Sequence, residues 1–359
     1  MAAGTVRRVT TTVDMRRRRR DLPAMRALRR PTLTCARAAA MAACVAAVAG
    51  CGGEQSTLEP RSEPARNITT LWWWMLAAAG VVFLGSVVLL GLSWVLRGRE
   101  GIPIVGEREG FNLGMVVLFG MGIPGVVLVA LFVIGNFAVL PTTDAPATAS
   151  TQMTVEVIGR QWFWEVRYPG STAVTANEIH IPAQTRVNLV AETGDVIHSF
   201  WVPQLNRKID MIPGRRNRIL LYADRPGRYR GQCAEFCGLQ HSHMAMYVYA
   251  DPPSRFRQWL AREGAPATTA SRGEQVFMAD QCADCHTIRG TAARGQVGPD
   301  LTHVAGRGTL ASLTIPNTPQ RLAEWISSPQ HVKPGNRMPD LHLKPADVQA
   351  LVSYLETLK

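Results

Sequence analysis

The sequence predicts a three-part chain: a membrane-spanning helix pair, then an all-β Greek-key sandwich, then an all-α domain. Three observations carry this. Two long apolar runs without a charge, Leu71–Leu96 and Phe111–Leu140, lie in the first 140 residues. Between residues 152 and 250 the pattern changes to short β-rich runs separated by turn residues. From Ser271 onward helical segments return around Cys282-Ala283-Asp284-Cys285-His286. A chain of 359 residues has room for two or three domains.

Residues 1–50 read as a leader. They hold 11 Arg and 2 Asp, a net of +9, which leaves only +3 of the total +12 for everything after. With no later basic patch interleaved with aromatics, the charge gives no support to nucleic-acid binding. Arg16–Arg20, Arg26, Arg29, Arg30 and Arg37 form a charged n-region, and Ala38–Gly50 is apolar but too short to cross a bilayer. Val48-Ala49-Gly50-Cys51 resembles a bacterial lipoprotein cleavage box, with lipidation expected at Cys51; an Ala-rich leader with a chance cysteine is the alternative. Translation starting at Met15 or Met25 is also compatible with this stretch. Residues 51–70, with Pro60 and Pro64, read as a linker.

The hairpin, residues 71–140, comprises helices 71–96 and 111–140. The first opens with Trp72-Trp73-Trp74 as an interfacial belt. At 1.5 Å per residue it reaches roughly 39 Å, against about 30 Å of hydrocarbon. The second contains Pro124 and glycines. Neither run holds an ionisable residue, so this chain cannot itself be a proton channel. The loop between them carries Arg97, Arg99 and Arg108, whereas 141–159 has no Lys or Arg. The positive-inside bias therefore puts both ends of the hairpin, and all that follows, outside the cytoplasm.

In residues 151–250 the strand candidates are Val155 and Val157, Glu178–Ile181, Val187–Val190 and Met246–Tyr249. Turns are expected at Thr193-Gly194-Asp195 and Arg225-Pro226-Gly227. Residues 251–270 read as a linker with a short helix at Phe256–Leu260, and 271–359 as the all-α domain with helices Gly273–Met278 and Pro345–Leu358.

The chemistry concentrates in Gly231–Met246. Cys233 and Cys237 are followed by His241 and Met244. Thiolates, an imidazole and a thioether suit copper in an electron-transfer site. Two thiolates on one loop can bridge two coppers, with an imidazole ending each, and His198 in Asp195-Val-Ile-His-Ser-Phe-Trp-Val-Pro203 is the candidate second imidazole. A Cys233–Cys237 disulfide is the competing reading. His243 and Met246 have the wrong spacing and read as structural. The other cysteines partition cleanly: Cys35, Cys44 and Cys51 belong to the leader, and Cys282 and Cys285 to Cys-x-x-Cys-His, the c-type haem attachment signature. Zinc and redox pairs are its false positives. In that reading Cys282 and Cys285 bind haem c covalently and His286 ligates the iron. A sixth ligand would come from Met338, His303, His331 or His342.

With these residues in this order, the chain resembles subunit II of haem–copper respiratory oxidases, in the caa-type form of cytochrome c oxidase with a fused cytochrome c domain. The resemblance spans roughly residues 60–359. It implies a cupredoxin fold for 151–250, with a binuclear CuA centre held by His198, Cys233, the backbone carbonyl of Glu235, Cys237, His241 and Met244. It implies a class I cytochrome c fold for 271–359: Gly298-Pro299-Asp300-Leu301 matches the segment behind the proximal histidine, and Asn336-Arg337-Met338-Pro339 the distal loop, making Met338 the axial partner of His286. In Gln161-Trp162-Phe163-Trp164 it makes Trp162 the point where electrons reach the copper, and Trp164 core. Alternating aromatics packing one strand face are the plainer account.

The implied path runs from an external donor through the haem, Trp162 and the coppers to haem a of subunit I. That subunit, with haem a and CuB, would reduce O2 to water with proton pumping; subunit III is a further implied partner. The Glu235 carboxylate would reach a Mg2+ shared with subunit I, and Lys208–Arg215 resembles a segment facing that subunit. The location implied is a bacterial cell membrane, two-pass. Residues 151–250 carry 11 Lys and Arg against 8 Asp and Glu, whereas a dock for a basic soluble cytochrome should be acidic, so the tethered haem domain is expected to be the main donor. Alternatives are the CuA-containing subunit of a nitric oxide reductase and a membrane-anchored copper carrier, which would need no haem. Quinol oxidase subunits II lack the copper ligands that are complete here.

Overall fold

A computed structural model describes residues 53–96, 109–145, 153–267 and 271–359. The leader, Cys51 with its expected lipidation, and the arginines of the 97–108 loop lie outside these residues.

Helix α1 runs Glu63–Leu96, 34 residues, and so begins eight residues before the expected Leu71. The last eight residues of the expected 51–70 linker are helix because Pro64 is a start signal. Ser62 caps the helix, its Oγ accepting from Ala65 N at 3.1 Å. Pro64 occupies the first turn, where no N–H is needed. The second span is α2 (Glu109–Val117), α3 (Ile123–Ile134) and α4 (Leu140–Thr143), joined through single π-turns at Leu118–Gly122 and Gly135–Val139. The first π-turn ends two residues before Pro124, whose missing N–H breaks the regular ladder. Both spans expose apolar side chains along their length, as lipid-facing helices do.

The outer ends of the hairpin are tied to the next domain. Arg61 N donates to Gln204 O at 2.8 Å, Asp224 N to Arg61 O at 2.9 Å, and Asn206 Nδ2 to Thr143 O at 3.0 Å. Arg207 pairs with Asp144 at 2.6 Å. The β domain is thereby fastened to the end of the spans by both chain crossings.

That domain has two five-stranded sheets. One has the order β3 (Val174–Ala176), β2 (Phe163–Arg167), β1 (Met153–Arg160), β5 (Val187–Thr193), β8 (Asn217–Leu221). The other has β4 (Glu178–Pro182), β10 (Ala245–Asp251), β9 (Gly227–Cys233), β6 (His198–Trp201), β7 (Ile209–Met211). Their inner faces interdigitate Val155, Val157, Trp164, Val166, Leu189, Ile219 and Val248. Tyr229 Oη donates to Arg225 O at 2.8 Å, pinning the turn before β9.

The 251–270 linker is shorter than expected, because α5 occupies Pro253–Gly264. Pro253 again opens a helix rather than breaking one. Phe256 and Trp259 pack on Tyr168, and Trp259 stacks on His180 at 4.0 Å. The last domain contains α6 (Arg272–Ala279), α7 (Cys282–Cys285), α8 (Pro319–Ser327), α9 (Pro329–Val332) and α10 (Pro345–Leu355). Phe277, Leu322, Ile326, Leu351, Tyr354 and Leu355 form its core. The final helix stops at Leu355 rather than Leu358, and a two-stranded ribbon, Thr309–Leu310 with Ile315–Pro316, interrupts the otherwise helical domain.

Candidate redox centres

The thiol loop connects β9 to β10. Cys233 ends β9, Ala245 opens β10, and Cys233 N donates to Met244 O at 2.9 Å, closing the loop at its base. Strand β6 pairs with β9 in the register Phe200↔Cys233, which brings His198 to the same end from 35 positions away. Sequence separation alone could not show this.

Cys233 Sγ lies 3.8 Å from Cys237 Sγ, 3.9 Å from His198 Nδ1 and 3.2 Å from the Glu235 carbonyl oxygen. Cys237 Sγ lies 3.6 Å from His241 Nδ1 and 3.8 Å from Met244 Sδ. A disulfide needs about 2.05 Å between sulfurs. At 3.8 Å the two are separate, at a spacing that bonds of about 2.3 Å to a shared metal can span. The potential ligand atoms of His198, Cys233 and Cys237 all lie within 4.8 Å of one another. All six sequence-predicted donors therefore converge, and the donor set fits copper. Met246 is core and His243 is exposed, its Nδ1 facing Gln240 Oε1 at 2.8 Å.

The sequence reading missed Asp195, visible only as a turn residue. Its Oδ1 faces His198 Nε2 at 2.8 Å, and its Oδ2 accepts from Gln161 N at 2.6 Å. Burial alone would raise this carboxyl, but the bonds from His198, Gln161 N and Val196 N outweigh it and hold it below its ordinary value. His198 is shifted upward: burial opposes its charge, and Asp195 and Cys233 prevail. Asp195 thus fixes which imidazole nitrogen faces the sulfurs. Between the thiols, the contact with Cys237, then His198 and the neighbouring N–H groups, lower Cys233 despite its burial. Cys237 is raised, chiefly by that same contact and by burial.

The second centre is a cavity of about 320 Å³ lined by Cys282, Cys285, His286 and Met338 together with apolar side chains including Leu301, Leu322, Ile326 and Leu351. His286 Nδ1 lies 2.8 Å from the Pro299 carbonyl. That bond takes Nδ1 as donor and leaves Nε2 free for a metal. Gly298 lies flat against the ring: a Cβ there would stand 2.7 Å from Nδ1 and 2.9 Å from Nε2. The residues present fit a haem attached through two thioethers. Of the alternative sixth ligands, His303 is buried with both ring nitrogens on carbonyls, Lys359 O at 2.7 Å and Ala265 O at 2.9 Å. His331 and His342 are exposed, and none of these three lines the cavity.

The two centres meet at Trp162. Its ring lines the haem-sized cavity, and its Nε1 donates to Cys237 O at 3.0 Å. Gly238, at φ +110°, admits the indole; a Cβ there would come to 3.1 Å from it. Trp164, by contrast, is fully buried core. Around Trp162 the last domain grips the sandwich: Ser312 Oγ donates to Trp162 O at 2.8 Å, Gly308 N to Glu178 Oε1 at 2.8 Å, and Arg337 to Gln161 Oε1.

Residues 171–250 match the family model for the periplasmic domain of cytochrome c oxidase subunit II, and residues 270–359 match that for cytochrome c. Cytochrome c oxidase subunit 2 of Alkalihalophilus pseudofirmus is 29% identical over 327 residues, covering 86% of this chain and 93% of its own length. That of Schizosaccharomyces pombe is 36% identical over 207 residues, 50% of this chain and 81% of the relative. The crystal structure of the periplasmic domain of subunit II of cytochrome oxidase from Bradyrhizobium japonicum is 27% identical over 34% of this chain and 99% of that one, with a TM-score of 0.32. With a sandwich carrying the copper donors and a haem-binding domain behind it, this chain belongs to the cytochrome c oxidase subunit II family.

Proposed function

We propose that this chain is the electron-input subunit of a bacterial haem–copper oxidase, passing electrons from its own haem c domain to a binuclear CuA centre and on to haem a of subunit I. O2 would be reduced to water, with proton pumping, in that partner. Haem c would be held by Cys282, Cys285, His286 and Met338, and CuA by His198, Cys233, the Glu235 carbonyl, Cys237, His241 and Met244. When bound, these groups supply one-electron transfer. The chain's residues do the rest. Pro299 and Asp195 orient the two imidazoles, the apolar cavity excludes water, and Trp162 spans the gap. The observation that carries the reading is Trp162 itself, one face in the haem cavity and its N–H on the Cys237 carbonyl.

The Glu235 side chain is exposed while its carbonyl faces Cys233 Sγ, which leaves the carboxylate free to reach a Mg2+ at the subunit I interface. Glu235→Gln should retain copper and disturb Mg2+; loss of both would refute that assignment. In this reading the two apolar helices anchor the chain in the cell membrane, with both redox domains on the extracytoplasmic side and subunits I and III as neighbours.

The test is electron paramagnetic resonance on the whole chain in detergent, matured with haem and loaded with copper. Hyperfine structure from one electron shared by two coppers is expected; a single-copper signal would overturn the CuA reading. Deleting residues 266–359 from the assembled oxidase should cripple turnover with external reductant, and unchanged turnover would remove the tethered haem as main donor.

A further inference from the structure

Lys333 supplies no donor to either centre, yet it borders the haem-sized cavity and is 2% exposed. It lies in the haem domain five positions before Met338. Its ammonium makes three hydrogen bonds: to His243 O at 2.9 Å, Ala311 O at 3.0 Å and Trp162 O at 3.1 Å. Three donors meet three carbonyls, so the group is saturated. Only Ala311 belongs to its own domain. Trp162 carries the indole shared by both centres. His243 sits in the 3-10 turn His241–His243, between the copper donors His241 and Met244. One side chain thus fastens the haem domain to the Trp162 segment and to the copper loop at once.

Placing an ammonium out of water is costly, and its bonds to carbonyls offset only part of that cost. Burial pushes the Lys333 amine down to about 7, against the pull of Cys237, which shows how strongly the site resists a charge. A lysine at this place is better explained by geometry than by cohesion. Carbonyl oxygens accept only from donors that reach them in direction as well as distance, so the three bonds fix orientation where an apolar contact would allow sliding. Other contacts share the work without reaching the copper loop's His243: Ser312 Oγ also holds Trp162 O and Gly308 N holds Glu178, while Gln240 reaches Pro334 O and Arg337 reaches Gln161 only through long side chains.

We propose that Lys333 is a positioning residue for internal electron transfer, an interdomain pin that holds the haem cavity against Trp162 in the transfer-competent pose. This rests on the electron-input reading above, and it adds a residue that would ligate neither metal.

The experiment uses the assembled oxidase with both centres loaded. Haem c is reduced by a photoexcited ruthenium complex, and oxidation of the haem and reduction of CuA are followed optically. In the wild type the two changes should be synchronous. In Lys333→Met and Lys333→Gln the haem spectrum, the CuA resonance and both reduction potentials should stay as in the wild type, while internal transfer slows roughly 10- to 100-fold, as expected for an ångström-scale misplacement. Pulsed measurement of the haem–copper dipolar coupling should show a broadened distance distribution in both variants. If Lys333→Met fails to assemble, Lys333→Gln decides the matter. Wild-type rates and an unchanged distribution with intact centres would overturn the role of Lys333 while leaving the electron-input reading in place. Absence of haem-to-copper transfer in the wild type would overturn both.

Discussion

Substituting Gly298 by alanine tests the haem assignment at its most constrained point. The added Cβ would stand 2.7 Å from His286 Nδ1 and 2.9 Å from Nε2, where an unstrained contact begins at about 3.5 Å. Either the ring or the 298 backbone must move by about 1 Å. The backbone is held, since Gly298 N donates to Cys285 O at 2.8 Å, within the attachment segment itself. The ring therefore gives way, and its Nδ1 bond to Pro299 O, 2.8 Å long, is lost or bent. Overpacking of this kind costs about 1–3 kcal/mol and the hydrogen bond about 0.5–1.5 kcal/mol, so the haem domain should lose about 2–4 kcal/mol. For a domain of this size that lowers Tm by roughly 10 °C or more. Without the carbonyl on Nδ1 the imidazole is a poorer donor to the iron, so the haem reduction potential should rise. Thermal unfolding followed at the haem band and a redox titration of the whole chain read both effects. A variant with wild-type Tm and wild-type potential would show that His286 is not held as described.

Trp162→Phe keeps an aromatic ring but removes the N–H bonded to Cys237 O; internal haem-to-copper transfer should slow with both spectra intact, measured by flash photolysis, and an unchanged rate would argue against the indole as the bridge. Asp195→Asn removes the charge that orients His198, and copper affinity in a competition titration should fall about 10- to 100-fold, with no change counting against that role. Burial holds the Glu178 carboxyl above its ordinary value, against the N–H groups of Gly308 and Thr309 and the charge of Arg307. The folded state thus keeps this proton more tightly than the unfolded chain, and the stability it contributes at low pH is lost as pH rises through the folded pKa. Glu178→Gln should therefore match wild-type stability near about pH 4 and exceed it near about pH 8, in denaturant titrations at each pH; a parallel pair of curves would disprove the sign.

Ligand chemistry was legible in the sequence because it is local. Cys233, Cys237, His241 and Met244 share one loop, and Cys282, Cys285 and His286 one turn, so residue type and spacing point to them as candidate donors. The spans were legible for the same reason, since uncharged apolar runs this long suit a bilayer. Boundaries were less so. Pro64 and Pro253 were read as linker residues and proved to sit in first helical turns, because a proline signals a helix start and a break with the same letter.

What the sequence offered by itself is the candidate donors that share one loop or one turn and the order of the three parts, because these follow from covalent neighbours and from the length of apolar runs. Only the tertiary structure decided how they meet. Pairing of β6 with β9 carries His198 to the thiols, and a turn three residues earlier gives it Asp195. Lys333 reaches Trp162 O across 171 positions and His243 O across 90. A buried lysine and an exposed one are spelled alike; the difference is whether three carbonyls from two domains stand within 3.1 Å of its nitrogen, and that is a property of packing, not of the chain's local composition.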